Sequence, residues 1–84
     1  MVSNPKLIGV LVGAGSVGKH HARVMSRRYH KLIVVDPAST VEAWMKENLK
    51  PGDDYYNNLE SAISGIGDSI GSVTAVIANL APDH

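Results

Sequence analysis

The sequence predicts an α/β domain built on a parallel β-sheet, and three observations lead to this prediction. Short apolar runs rich in β-branched residues occur at residues 7–12, 32–35 and 73–78. The runs are apolar at both alternating positions, as in strands that are covered on both faces of a sheet. Stretches of helical length separate the runs, and strands that alternate with helices imply right-handed crossovers between parallel strands.

The pattern predicts the first strand, the first helix and the second strand in turn. The first strand covers residues 7–12 and ends at Gly13. Residues 17–29 place apolar side chains on one broad face and basic side chains elsewhere, which predicts an amphipathic helix. The second strand follows at residues 32–35 and ends at Asp36.

The second helix is predicted from a capping box, in which a Ser hydroxyl caps the helix and a Glu three residues later reaches back. Ser39 and Glu42 provide this pattern. The helix extends to about Leu49, because a Lys-Pro-Gly sequence then stops it. Trp44 and Met45 lie on this helix and are expected to belong to the core.

The last third of the chain predicts a short helix and a final strand. Residues 55–56 are a candidate third strand, although two Tyr residues are too few to establish it from propensity. Asn57 and Glu60 repeat the capping pattern before a third helix. Three glycines between residues 65 and 71 predict a flexible connection to the final strand, residues 73–78.

Composition narrows the classes of protein to consider. The chain has 84 residues, enough for one small domain or part of one. Its 8 Lys and Arg balance 8 Asp and Glu, which argues against a nucleic-acid partner, since nucleic-acid binders usually carry a basic patch. The absence of Cys excludes a disulfide framework, a thiolate metal site and a cysteine nucleophile. No run approaches the ~20 apolar residues of a membrane span, and no signal peptide is recognisable, so we expect a cytoplasmic protein with no membrane partner.

The glycine-rich stretch at residues 13–18 has the G-x-G-x-x-G spacing of a dinucleotide-binding loop, directly between a strand and a helix. We expect Gly13 to make the tight turn, Gly15 to let the backbone approach a pyrophosphate, and Gly18 to let the helix pack close to the sheet. Ser16 and Val17 begin the helix, whose first N–H groups lack intrahelical acceptors and favour an anion. The alternative is a glycine-rich turn that binds no ligand.

Asp36 stands at the end of the second strand, 18 residues after Gly18, where its carboxylate can accept hydrogen bonds from both hydroxyls of an adenosine ribose. A carboxylate there repels the 2′-phosphate of NADP, and no Arg follows closely to neutralise that phosphate, so NAD is the favoured cofactor. Some binding of NADP stays an open alternative, because Ser39 and Thr40 follow closely and can tolerate it. The alternative role for Asp36 is a solvated acid that caps the next loop.

Two other nucleotide loops are less compatible with these residues. The stretch also matches the first seven positions of the P-loop pattern G-x-x-x-x-G-K-[ST], but the eighth position is His20, which lacks the hydroxyl that binds magnesium. A methyltransferase loop usually has a further glycine two residues after the second one, where this chain has Val17.

Four stretches of the chain together resemble the Gfo/Idh/MocA oxidoreductases, the group of glucose–fructose oxidoreductase and inositol dehydrogenase. The family's fingerprint continues as G-x-G-x-x-G-x-x-H-A, and residues 21–22 supply that extension. Similarity continues at residues 34–37, at residues 55–60, and at residues 76–84, which resemble the fourth-strand signature. The resemblance covers nearly the whole chain and implies a Rossmann-type dinucleotide-binding half, with a parallel sheet in the strand order 3-2-1-4.

The resemblance also implies a function. It implies an NAD-dependent oxidoreductase that transfers a hydride between the nicotinamide and a hydroxyl or carbonyl substrate, such as a sugar or cyclitol. Asn79 and Leu80 stand where the family usually has Thr-Pro, in a loop that passes close to the cofactor, so Asn79 is a candidate cofactor contact. The family's catalytic Lys, in a Glu-Lys-Pro motif, has no counterpart here, so no catalytic residue is assigned.

We therefore interpret residues 1–84 as a partial N-terminal dinucleotide-binding domain. The substrate and catalytic domain is absent from these residues, and we expect them to be inactive on their own. The resemblance is also compatible with a homo-oligomer. Two further functions stay open: a non-catalytic nucleotide-binding or regulatory module that uses the same loop, and a protein-interaction fragment that binds no nucleotide.

The four His residues are scattered and share no spacing with carboxylates that indicates a metal site. We expect His21 to pack and hydrogen-bond on the first helix, and the resemblance would bring His84 near the nicotinamide.

Overall fold

The computed structural model describes residues 7–78, except for the side chains of Ser16, Val17 and Ser69. Within these residues the strands are β1 (Ile8–Val12), β2 (Lys31–Val35), β3 (Asp54–Tyr56) and β4 (Val73–Ala78). The α-helices are α1 (Ser16–Arg28), α2 (Thr40–Asn48) and α3 (Leu59–Ile66), and a 3₁₀ helix at Gly67–Ser72 leads into β4. The alternation of strands and helices confirms the predicted α/β class.

The strands form a parallel sheet in the order β3-β2-β1-β4, as predicted. At the end of β1, Val12 lies between Val35 of β2 and Ala78 of β4. Because the strands run in the same direction, their carboxyl ends lie along one edge of the sheet. The glycine loop after β1 and Asp36 after β2 are therefore neighbours at that edge.

Both faces of the sheet are covered around β1 and β2. On the face that packs against α1 and α2, the largest fully buried side chains are Leu11, Leu32 and Val34. On the other face, Val10 and Ile33 belong to a buried cluster with Ala62 of α3. The prediction that these two strands are buried on both faces is confirmed.

β4 differs from the prediction, because one of its faces is open. Its residues alternate between half-buried and exposed, and Val76 is 62% exposed. Ile77 points to the opposite face and packs against the α1–α2 side. Since α3 lies over β2 and β3, the adjoining face of β4 stays uncovered by the described residues.

The capping interaction predicted at the start of α2 is wrong. Ser39 precedes α2, but its backbone is helical (φ −64°, ψ −20°) and its hydroxyl caps no N–H group, so the capping box with Glu42 does not form. Asp36 closes the turn before α2 instead, because its Oδ1 accepts from the Ala38 N–H at 2.8 Å. This hydrogen bond between a side chain and the N–H group two residues later is an Asx turn.

The segment from α3 to β4 is more regular than its glycines predict. Asn58, rather than Asn57, caps α3 by accepting from the Ser61 N–H at 2.7 Å. Gly67, with a positive φ of 53°, ends α3 and begins the 3₁₀ helix that replaces the predicted flexible connection. A positive φ at this position favours glycine.

Candidate functional site

The glycine loop connects the end of β1 to the start of α1 at the carboxyl edge of the sheet. Gly13 has a positive φ of 92°, which glycine adopts without steric cost. Its N–H donates to the Val35 carbonyl at 2.8 Å, which ties the turn to the end of β2. The predicted role of Gly13 in a tight turn off the strand is confirmed.

Gly15 differs from Gly13, because its backbone conformation does not require a glycine. Its φ of −68° and ψ of −164° are open to other residues. A Cβ added here would meet nothing within 4 Å, whereas one added at Gly9 would come within 2.9 Å of the Tyr29 ring. The missing side chain at Gly15 thus leaves open space in front of α1.

The N-terminus of α1 has neither a side-chain cap at its N-cap residue nor an acidic residue in its first turn. Gly15 is the N-cap, so no side-chain oxygen accepts from the first N–H groups, and the first turn contains no acidic residue. Lys19 N–H makes the first helical hydrogen bond, to the Gly15 carbonyl at 2.8 Å. The N–H groups of residues 16–18 therefore lack helical partners and carry the positive end of the helix dipole.

The remaining predicted loop residues are placed only in part. The backbones of Ser16 and Val17 begin α1, and their side chains lie outside the described set. Gly18 is buried in the first turn of α1, and its predicted role in close helix packing stays a prediction. Asn79 and His84 lie outside the described residues.

The fold brings Asp36 directly against the glycine loop. Its Oδ2 accepts from the Ala14 N–H at 2.7 Å, and its Oδ1 accepts from the Ala38 N–H at 2.8 Å. A carboxylate has about four lone-pair sites, so two acceptor positions remain after these bonds. The half-buried Asp36 can therefore both hold the loop and accept hydrogen bonds from a ligand.

Tyr55 is part of this site, although no sequence pattern indicated it. Its hydroxyl lies 2.6 Å from the Asp36 carbonyl and 3.2 Å from the Ala38 carbonyl. Burial raises the pKa of the Tyr55 hydroxyl, with smaller contributions from the negative charges of Asp36 and Glu42. The hydroxyl stays protonated below its ordinary pKa of 10 and acts as a donor to the turn after β2.

Lys19 lies away from the position that a P-loop lysine would need. Its Nζ is 5.8 Å from the centre of the Trp44 ring, and Arg23 lies over the same ring at 5.4 Å. These cation–π contacts direct both side chains of α1 toward α2. Trp44 is half-buried beneath them and packs against the core cluster that contains the buried Met45, in agreement with the core prediction.

A concave region lies at the opposite edge of the sheet. This cleft of about 490 Å³ is lined by the last two turns of α1 and by His30, Asn48 and Lys50. Lys50 is paired with the buried Asp53 at 2.7 Å, and Arg23 is already held by Trp44 and by Asn48 Oδ1 at 3.4 Å. Lys50 and Arg23 of the cleft thus have structural partners, which makes the glycine loop the better candidate.

Within residues 7–78, no three His, Asp or Glu side chains lie close enough to hold a metal ion. His20 and His21 are neighbours on α1, with ring centres 6.3 Å apart. None of the helices in this part of the chain is long and apolar enough to span a membrane.

Comparison of the chain with protein-family models, with curated proteins and with solved structures gave no match. The candidate function is therefore derived from the residues themselves.

Proposed function

We propose that this chain binds NAD, as the cofactor-binding portion of an oxidoreductase. The N–H groups at the start of α1, with Gly13, Gly15 and Gly18 around them, would hold the pyrophosphate. Asp36 would accept hydrogen bonds from the hydroxyls of the adenosine ribose. The nicotinamide would supply hydride transfer when bound, and the residues named here would hold the pyrophosphate and the adenosine end of the cofactor.

The observation that carries this proposal is the contact between Asp36 and the glycine loop. The Asp36 carboxylate accepts from the Ala14 N–H at 2.7 Å, so the residue proposed to bind the ribose lies next to the loop proposed to bind the pyrophosphate. The open space at Gly15 adds to it, because it leaves the backbone at the start of α1 accessible to a ligand.

The surroundings of Asp36 favour NAD over NADP. A 2′-phosphate would meet the negative carboxylate, and the nearest loop donor, the Ala38 N–H, is already bonded to Asp36 Oδ1. The hydroxyls of the exposed Ser39 and Thr40 are the donors that follow it in the chain. These groups carry no positive charge to offset the repulsion.

The proposed chemistry rests on the resemblance to the Gfo/Idh/MocA oxidoreductases. On that basis we propose hydride transfer to or from a hydroxyl or carbonyl substrate such as a sugar or cyclitol. The site described above serves a regulatory nucleotide-binding module equally well, and both functions require the binding of NAD.

Calorimetric titration of the chain with NAD⁺ and with NADP⁺ tests the proposal. We expect tighter binding of NAD⁺, and we expect Asp36→Ala to weaken it by about tenfold or more, since two hydrogen bonds to a charged acceptor are lost. The variant should bind NADP⁺ with little loss, so that the two affinities approach each other.

Asp68→Ala is the matched control, because Asp68 is an exposed acid on the 3₁₀ helix, far along the chain from the site. It should leave both affinities unchanged. Equal affinities of the unsubstituted chain for NAD⁺ and NADP⁺ would remove the basis for assigning Asp36 to the ribose. Circular dichroism of each variant separates lost binding from lost folding.

A further inference from the structure

The turn that carries Asp36 is held from three directions. Within the turn, Asp36 Oδ1 accepts from the Ala38 N–H at 2.8 Å. From β3, the Tyr56 carbonyl accepts from the Asp36 N–H at 3.0 Å, which extends the pairing of β2 with β3 by one residue. The third contact comes from the side chain of Tyr55.

Tyr55 reaches the turn because of its place in the sheet. It pairs with Val34 of β2, and its ring packs against the core cluster on the α1–α2 side. From there its hydroxyl is shared by the carbonyls of Asp36, at 2.6 Å, and of Ala38, at 3.2 Å. A phenol has one hydrogen to donate, so the two carbonyls on either side of Pro37 converge on the same group.

We infer that the Tyr55 hydroxyl is a positioning group that holds Asp36 against the glycine loop and thereby enforces the preference of the site for NAD over NADP. This inference rests on the proposed function. Tyr55 would touch no part of the cofactor in this role. It acts through the backbone of the turn, whose position decides where the Asp36 carboxylate stands.

Tyr55 can affect the cofactor preference because NAD and NADP differ at the ribose position that Asp36 faces. A fixed carboxylate accepts from a ribose hydroxyl and repels a 2′-phosphate at the same place. A turn that has lost the Tyr55 donor can move and take the carboxylate away from the ribose. Binding of NAD then weakens, while the repulsion of NADP is relieved, so the ratio of the two affinities falls.

Tyr55→Phe removes the hydroxyl and keeps the ring in the core. We expect its affinity for NAD⁺ to fall by about fivefold, as for one net hydrogen bond. Its affinity for NADP⁺ should stay the same or rise. A purely structural loss would weaken both cofactors together, so the ratio of the two dissociation constants is the informative quantity.

Tyr56→Phe is the matched control on the same strand. Tyr56 points to the opposite face, packs against the cluster that contains Ala62, and its hydroxyl makes no hydrogen bond within the described residues. This variant should keep the ratio of the unsubstituted chain. A Tyr55→Phe chain that also keeps that ratio would overturn the inference.

A second measurement needs no cofactor. Hydrogen exchange of the Ala38 amide, followed by NMR in the free chain, reports whether the turn is held. We expect faster exchange in Tyr55→Phe than in Tyr56→Phe, and equal rates would overturn the positioning role. If the unsubstituted chain binds neither NAD⁺ nor NADP⁺, the proposed function fails, and with it the claim about cofactor preference, whereas the exchange rates still decide whether Tyr55 holds the turn.

Discussion

At the scale of single residues, the glycines differ in what their missing side chain provides. Gly13 needs its positive φ of 92° for the turn, and a side chain at Gly9 would collide with Tyr29. A side chain at Gly65 would overlap the Tyr56 ring. Gly15 has neither constraint, so the access that it leaves to the start of α1 is its distinguishing property.

Gly15→Val should therefore abolish the binding of NAD⁺ and leave the fold nearly unchanged. The added side chain would occupy the space in which the pyrophosphate approaches the backbone. We expect calorimetry to detect no binding, while urea unfolding shows a loss of about 1 kcal/mol, because Val is a poorer N-cap residue than Gly.

Gly9→Val provides the opposite case, because its Cβ would meet the Tyr29 ring and the Met25 side chain at 2.9–3.0 Å. That variant should lose stability by about 1–3 kcal/mol, as overpacked sites do. Retention of full NAD⁺ affinity by Gly15→Val would instead indicate that the glycine loop is a turn without a ligand.

The residues of the site differ in how far the sequence could predict them. Gly13 and Gly15 were predictable because their spacing within one strand–loop–helix unit is local, and Asp36 because it follows the next strand directly. Tyr55 was not, since its partner Asp36 lies 19 residues earlier and the contact exists only after β3 pairs with β2. No periodicity within the sequence encodes such a contact.

At the scale of elements, one buried carboxylate joins three parts of the chain at the edge opposite the site. Asp53 accepts from Ser26 Oγ near the end of α1 at 2.6 Å, from the Leu32 N–H of β2 at 2.9 Å, and from Lys50 Nζ at 2.7 Å. Its side chain is 1% exposed. The buried Asp53 carboxylate is therefore both paired and fully hydrogen-bonded, which such a group requires.

Asp53→Ala should reduce the free energy of unfolding by about 3 kcal/mol, because it leaves the Lys50 ammonium, the buried Ser26 hydroxyl and the Leu32 N–H without their acceptor. Urea unfolding followed by circular dichroism measures this loss. Asp54→Ala is the control: Asp54 pairs with Lys31 at 2.9 Å, but both side chains are more than a third exposed. That pair raises the pKa of Lys31, mainly through the hydrogen bond to Asp54.

Exposed ion pairs contribute about 1 kcal/mol or less, so Asp54→Ala should cost no more than that. Equal losses in the two variants would contradict the structural role of Asp53. Both substitutions lie at the far edge from the glycine loop, and neither should alter the affinity for NAD⁺ in the folded chain.

The elements were predictable where the pattern is long and less so where it is short. β1, β2, α1 and α2 were found within one or two residues of their ends, because each has a sustained apolar pattern. The cap of α2 was wrong because the Asp36 side chain takes over the turn that Ser39 was expected to form. β3 has only three residues, and its pairing beside β2 defines it more than its own propensity.

At the scale of the whole molecule, the strand order places the candidate site. With β1 and β2 adjacent, the loop after one and the acid after the other meet at the carboxyl edge of the sheet. The alternation of elements was sufficient to predict a parallel sheet, and the order of its strands was an expectation from the family resemblance. The alternation was not sufficient to predict the open face of β4, since coverage depends on where α3 lies rather than on the sequence of the strand.

We propose that the carboxyl edge of the sheet, and not the cleft at the other end of α1, binds NAD. Titration of the ¹⁵N-labelled chain with NAD⁺, followed by amide chemical shifts, tests this proposal most directly. Each backbone amide gives its own signal, so the edge and the cleft are compared in one experiment. We predict that the largest shifts fall at residues 13–18 and at Asp36 and Ala38. Shifts confined to Arg23, Arg27 and His30 around the cleft, or no shifts at millimolar NAD⁺, would contradict it.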